Sequence, residues 1–361
     1  MNIIIERNVL LVPVSKLVGI TEKRSLMPIL SNLLIEFSTQ GIKLYSTDLE
    51  ISAIGFIDFK TSFEKKIIIH GKRLQDILRE MDNGDINLEI QDNVLIIKQK
   101  QSEFVLSLQD PDEFPEVKEI SGYEEIVVNG KALLKMINKV EFAISSDETR
   151  YVLTGMYLQG FDGNIVAVGT DGFRMSLYRK DIAGLKSFKG IIIPRRSLME
   201  IQRIIDEDED VSICIGDKHA QFSTKQVTLI SRIIEGNFPD FENVIPEGNL
   251  NTIVVDKEIF YRGLKKVSAI ISKLEPIKIN IYKNIIDIEA ESDIGHSKEL
   301  IDIEYNGEDI SLNFNVRFVL DVVSHIDGKN IILKAPSTHG AALFECEDEK
   351  HYKNIIMPIR I

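Results

Sequence analysis
The chain has 361 residues, 44% hydrophobic and 27% charged, with a formal net charge of −13 and two cysteines. Its length points to two or three domains, its composition to a globular protein, and Cys214 and Cys346 supply neither a disulfide framework nor zinc-ligand spacing. No apolar run is long enough for a membrane span, and the start "MNIIIERNVLL" carries charge where a secretory leader needs none, so a cytoplasmic protein without membrane contact is expected.

Six segments share one pattern: an apolar strand-like entry, a cap or turn residue, a basic residue, then apolar residues at helical spacing. In chain order they are "IIIERNVLLVPVSKL" (3–17), "IIIHGKRLQDILREM" (67–81), "IVVNGKALLKMINKV" (126–140), "IIIPRRSLMEIQRII" (191–205), "TIVVDKEIFYRGLKKV" (252–267) and "LNFNVRFVLDVVSHI" (312–326). Asn129, Asp256 and Asn315 are suited to N-capping, and Pro194 to a helix start. Between the helices lie alternating β-branched runs such as "INLEIQDNVLIIKQ" (86–99), "FVLSLQD" (104–110), "VSICIG" (211–216) and "IKINIYKNIIDIEAES" (277–292), separated by short polar turns. That is the pattern of antiparallel hairpins, and the whole predicts an α+β fold with its helices grouped on one side of the sheets.

The pattern repeats. "YSTDLEISA" and "GTDGFRMS" place Thr-Asp pairs at 47–48 and 170–171, with a weaker echo, "ESDIGHS", around Asp293. The Phe-Pro pairs of "DEFPEV" and "NFPDFENVIP" keep the same interval. A unit of about 120 residues therefore occurs three times, each copy halving again into strand, helix and strands. The domains expected are 1–122, 123–249 and 250–361.

Charge is segregated along this frame. Five of the six helical segments are net basic, although the chain as a whole is strongly acidic. Lys131, Lys135 and Lys139 recur every four residues and so predict a stripe on one helix face; Arg195, Arg196 and Arg203, and then Arg262, Lys265 and Lys266, form similar groups. Such runs usually face solvent, but their shared bias points to an anionic partner lying against the helices. With no recognition-helix motif and few aromatics, contact with the phosphates of double-stranded DNA irrespective of sequence fits best.

"GTDGFRMS" itself looks like an acid–base loop, with Asp171 and Arg174 between glycines. Thr-Asp recurs in the first repeat, however, so Asp171 reads as a turn residue. The six histidines keep no ligand spacing, and no nucleophile elbow or phosphate-binding loop is present, so neither an enzyme nor a cofactor or metal is expected. A repeat scaffold that binds proteins alone is the alternative; it leaves the basic helices without a purpose. Salt-sensitive DNA contact separates the two readings.

Along its whole length the chain resembles the bacterial sliding clamp, the β subunit of DNA polymerase III. The resemblance rests on "RSLMPILSNLLIEF" (24–37), "STDLEIS" (46–52), "DEFP" (112–115), "RYVLTGM" (150–156), "GTDGFRMS" (169–176), "EGNFPDFENVIP" (235–246), "FNVRFVLDVV" (314–323) and the terminal "MPIRI" (357–361). It implies three clamp-type domains per chain and a head-to-tail homodimeric ring. Helices would line a central hole around duplex DNA and antiparallel sheets would lie outside. It also implies a hydrophobic pocket for short linear motifs of the polymerase III α subunit, the clamp loader and other clamp-binding proteins. The matching pocket positions are Leu153, Thr170, Gly172, Phe173, Arg174, Met175, Pro239, Val244, Asn315, Phe318, Ile355, Met357, Pro358, Ile359 and Arg360. Phe173, Met175 and Val152 depart from the histidine, leucine and aromatic frequent there. For DNA, Arg24, Arg150 and Tyr151 match family positions, and Arg73 joins them by its place on a helix. Arg73, Leu74, Phe104, Ile270 and Ile271 match the dimer seam.

Overall fold
A computed structural model describes residues 1–21, 27–120, 125–248, 251–272, 275–336 and 340–360. Each repeat has the same order of elements, strand, helix, four strands, helix, three strands. The first runs β1 (Asn2–Glu6), α1 (Arg7–Val18), β2 (Asn32–Phe37), β3 (Ile42–Thr47), β4 (Ile51–Ile57), β5 (Lys65–His70), α2 (Gly71–Glu80), β6 (Asp85–Gln91), β7 (Val94–Gln99) and β8 (Ser102–Ser107). The second runs β9 (Glu125–Asn129), α3 (Gly130–Val140), β10 (Gly155–Phe161), β11 (Asn164–Thr170), β12 (Arg174–Asp181), β13 (Phe188–Pro194), α4 (Arg195–Ile204), β14 (Asp210–Ile215), β15 (His219–Ser223) and β16 (Val227–Arg232). The third runs β17 (Asn251–Asp256), α5 (Lys257–Val267), β18 (Pro276–Tyr282), β19 (Ile285–Ser292), β20 (Gly295–Asp302), β21 (Ile310–Asn315), α6 (Val316–His325), β22 (Asn330–Ala335), β23 (Ala342–Glu345) and β24 (Tyr352–Ile356). The six predicted helices are all present, and Asn129, Asp256 and Asn315 each accept a hydrogen bond from a first-turn backbone amide.

The chain forms two compact units, and the middle repeat is divided between them. Residues 1–134 and 196–233 carry a four-stranded antiparallel sheet, β1-β6-β7-β8, and an eight-stranded one, β5-β2-β3-β4-β16-β15-β14-β9. Residues 135–195 and 234–361 carry the counterpart pair, β13-β10-β11-β12-β24-β23-β22-β17 and β20-β19-β18-β21. Each large sheet therefore joins strands of successive repeats. In the first unit β4 pairs with β16, Ser52 opposite Ile230; in the second β12 pairs with β24, Met175 opposite Ile355.

The helices follow their amphipathic pattern. Leu10, Val14 and Leu17 of α1 and Leu74 and Leu78 of α2 are buried, as are Phe260, Leu264 and Val267 of α5 and Val319, Val322 and Val323 of α6. Each such side chain removed from water contributes about 1.5–3 kcal/mol. Gly169 on β11 lets α3 close down on its sheet, since a Cβ there would lie 2.3 Å from the Val140 carbonyl oxygen.

Candidate functional site
In the second unit the "GTDGFRMS" stretch is a β11–β12 hairpin, with Thr170 opposite Met175. Asp171 Oδ1 accepts from the amides of Phe173 (2.9 Å) and Arg174 (3.0 Å), while Thr170 Oγ1 accepts from Gly172 N at 3.1 Å and donates to the Arg174 carbonyl at 2.6 Å. Gly172 sits at φ +85°, the left-handed region that favours glycine. The expected turn role of Asp171 is what the geometry shows.

Arg174 is buried, and each of its three guanidinium nitrogens has a partner. Nε lies 3.1 Å from Asp171 Oδ2, Nη1 donates to Asp321 Oδ2 at 2.6 Å, and Nη2 donates to the Phe142 carbonyl at 2.6 Å. The rings of Phe142 and Phe318 flank it, with centres at 5.4 and 4.3 Å. Bonds from all three of its nitrogens make it a post holding the hairpin over α6, and a guanidinium keeps its proton, so it has none to offer a reaction.

Above this post is a cavity of about 130 Å³ lined by the hairpin, the Phe-Pro connector and the end of β24. Leu153, Thr170, Gly172, Phe173, Arg174, Met175, Pro239, Val244, Ile355 and Met357 line it together with Phe238, Asp240 and Phe241. The Phe238 ring stacks on Tyr157 at 4.7 Å, which sets the connector against the sheet. The aromatics on both sides of Pro239 in "NFPDFENV" were the sequence signal for these additions. Phe173, Val244 and Met357 stand exposed around the mouth, and Met357 N donates to the Phe173 carbonyl at 2.9 Å. An apolar floor with an exposed apolar rim and few polar groups is the geometry of peptide capture.

Several expected pocket residues lie elsewhere. The Asn315 side chain caps α6 by accepting from Arg317 N at 2.9 Å, and the Phe318 ring is taken up beneath Arg174. Pro358, Ile359 and Arg360 follow Met357 outside the cavity wall, where Ile359 N donates to the Asn313 carbonyl at 2.7 Å.

The basic residues sort by exposure. Lys131, Arg150, Tyr151, Arg195, Arg196, Arg203, Arg262, Lys265 and Lys266 are exposed; Arg24 lies outside the described residues. Some of these charges already have acidic neighbours: Arg196 lies 2.6 Å from Asp48 and Lys266 2.6 Å from Glu299. Lys139 corrects the predicted stripe, because it is buried. Its ammonium lies 2.6 Å from Glu349 and 3.1 Å from Asp327, and 4.5 Å from the Tyr352 ring centre. Successive fourth residues drift around a helix of 3.6 residues per turn, so Lys131 faces solvent, Lys135 is half-buried and Lys139 enters the protein. Burial opposes charging of Lys135, but the hydrogen bonds it donates to Glu349 and Asp327 outweigh it and raise its pKa.

Among the seam residues, Arg73 is exposed and Phe104, Ile270 and Ile271 are half-buried. Leu74 is wholly buried in the core beneath α2, so it cannot meet a second chain directly. β8 and β20 each stand at one edge of a small sheet, opposite β1 and β21, with no partner strand on their outer side among the described residues. Val105 and Leu300 are exposed on those strands; their alternation with inward residues is visible in the sequence, but their edge position is not.

Three family descriptions match in order. The N-terminal, central and C-terminal domains of the DNA polymerase III beta subunit match residues 1–118, 127–240 and 242–360. The chain belongs to the DNA polymerase III β subunit family, the bacterial sliding clamps. The beta sliding clamps of Pseudomonas aeruginosa and Caulobacter vibrioides are each 28% identical to it, over 100% of both chains. Solved structures agree: the P. aeruginosa β subunit has a TM-score of 0.95 at 28% identity, covering 100% of both chains. The Bacillus subtilis clamp has a TM-score of 0.94 at 25% identity, covering 100% of this chain and 99% of its own. The three-domain clamp fold follows, and with it the function: this is a DNA sliding clamp, a replication factor that raises processivity without being an enzyme. DNA and polymerase are the general partners of such a protein, and no helix among the described residues is long and apolar enough to cross a membrane.

Proposed function
We propose that two copies of this chain close head to tail into a ring in the cytoplasm, with domain boundaries near 122 and 249, and that the ring slides on duplex DNA. The exposed cations of the helices, with Arg150 and Tyr151, would meet phosphates diffusely; a partner that must slide needs contacts indifferent to sequence. The free edges of β8 and β20 suit a continuous seam, with Phe104 and Val105 on one chain and Ile270, Ile271 and Leu300 on the other.

The observation that carries the tethering role is the apolar cavity with Phe173, Val244 and Met357 around its mouth. It would seat the clamp-binding motifs of the polymerase III α subunit and the clamp loader one at a time. Retention on a nicked circular plasmid, loaded by the clamp loader, tests the ring. Protein that stays on circles and leaves when the DNA is linearised is topologically held; protein indifferent to linearisation is bound locally, and the scaffold reading takes over.

A further inference from the structure
The first unit contains a second groove, built on the same plan as the first. Thr47-Asp48 forms the same turn: Asp48 Oδ1 accepts from the amides of Glu50 (2.9 Å) and Ile51 (2.7 Å), and Thr47 Oγ1 accepts from Leu49 N at 3.0 Å. Strand register carries the correspondence residue by residue. Thr47 lies opposite Ser52, and Ser52 opposite Ile230, as Thr170 lies opposite Met175, and Met175 opposite Ile355. Pro115 of the earlier Phe-Pro connector takes the place of Pro239. The cavity so formed holds about 600 Å³, large enough for several side chains.

Its chemistry differs from that of its counterpart. Glu50 stands where the other groove has Phe173, and Ser52 where it has Met175. Four carboxylates line it (Glu50, Glu116, Glu119 and Asp217) against Lys118 and Lys218, with His219 beside them; Arg232 lies 3.1 Å from Glu50, and Lys118 2.8 Å from Glu116. Apolar contact remains at Leu49, Val117, Ile120 and Ile230. The net negative lining disfavours DNA and phosphorylated ligands and favours cations.

We infer that this groove docks an extended segment of a partner protein in which lysine or arginine flanks an aliphatic side chain. The aliphatic group would enter between Val117 and Ile230, and the cation would meet Glu119 and share or take over Glu50, whose carboxylate holds Arg232 at 3.1 Å. The inference borrows from the proposed function only that the corresponding groove takes a linear peptide.

The test pans a phage-displayed random heptapeptide library on the full-length protein carrying Phe173→Asp and Met357→Asp, two exposed positions, so that the first groove is disabled. Enriched clones should pair Lys or Arg with Leu, Ile or Val. A synthetic peptide from them should bind about tenfold more weakly or worse once Glu50→Lys and Glu119→Lys are added, in protein whose circular dichroism is unchanged. No enrichment over an unrelated protein, acidic clones, or binding indifferent to the two charge reversals overturns the inference. Panning the unsubstituted protein separates the two grooves. If it yields no apolar clones sensitive to Phe173→Asp and Met357→Asp, the first-groove reading fails by itself, and the second stands on its own result.

Discussion

The ammonium of Lys139 is held 2.6 Å from the carboxylate of Glu349, and their side chains are only 2% and 7% exposed. Removing one partner of a buried pair leaves the other charged and dry, which costs about 3–5 kcal/mol. Lys135, 2.9 Å from the same carboxylate, offsets part of that cost. Lys139→Met should therefore lower the urea stability by about 2–3 kcal/mol. A loss below about 1 kcal/mol would mean that Lys135 alone satisfies Glu349.

Acid should loosen the same cluster. Burial opposes ionisation of Asp327, but hydrogen bonds from Lys135 and Lys139 prevail and lower its pKa from 3.8 to about 2. A carboxylate with a folded pKa below its unfolded one contributes fully above the unfolded value, and its contribution fades as pH falls toward the folded value. Asp327→Asn should thus be less stable than the parent at pH 6, with the gap closing between pH 4 and 2. Parallel denaturation curves over that range would contradict the assignment.

The proposed contacts between helix cations and phosphates can be counted through salt. Each cation withdrawn from a phosphate reduces the slope of log K against log salt by about 0.9. Lys131→Gln and Arg262→Gln, both at exposed positions, should each lower the slope by about that amount. Lys139→Met should leave it unchanged, because that ammonium faces Glu349 and Asp327. A slope indifferent to both exposed changes would remove those helices from the DNA path.

The two Thr-Asp turns make a matched pair for backbone strain. Leu49 occupies φ 76° where Gly172 occupies φ +85°. A side chain in that region costs about 1–2 kcal/mol, and glycine returns part of the gain through the freer unfolded chain. Leu49→Gly should be neutral to about 1 kcal/mol stabilising, whereas Gly172→Leu should destabilise by about 1–2 kcal/mol. Thermal melts of both variants decide it, and equal losses at the two turns would show that packing of Leu49 outweighs the strain.

Charge placed on the open sheet edges should separate the proposed dimer. Val105→Asp and Leu300→Asp change exposed residues, so each chain keeps its fold. Sedimentation velocity should then show a shift toward monomer for either variant. Dimers persisting in both at micromolar concentration would place the seam elsewhere.

The repeat and its six helices were legible because apolar residues recur at helical spacing after an extended run, with cap residues at Asn129, Asp256 and Asn315. The Thr-Asp hairpin was legible because its first-repeat copy exposed Asp171 as a turn residue. The fusion of β4 to β16 and of β12 to β24 was not, since pairing between distant strands leaves no local trace. Lys139 misled for a related reason. Four-residue spacing describes a stripe along the helix, and only the acids at 327 and 349, far along the chain, reveal which end of that stripe is covered. Phe318 and Asn315 belong to the floor and the cap under the pocket, a difference of depth that linear sequence does not record.

The two cross-repeat strand pairs also bear on how the chain carries load. Force drawn along β4 or β12 acts parallel to its neighbour, so the ladder bonds from Ile51 to Gly55, or from Arg174 to Tyr178, must shear together. An open edge such as β8 or β20 can be peeled one bond at a time. Force along the cross-repeat strands loads every junction bond at once, so the joints between copies should hold or fail as a unit.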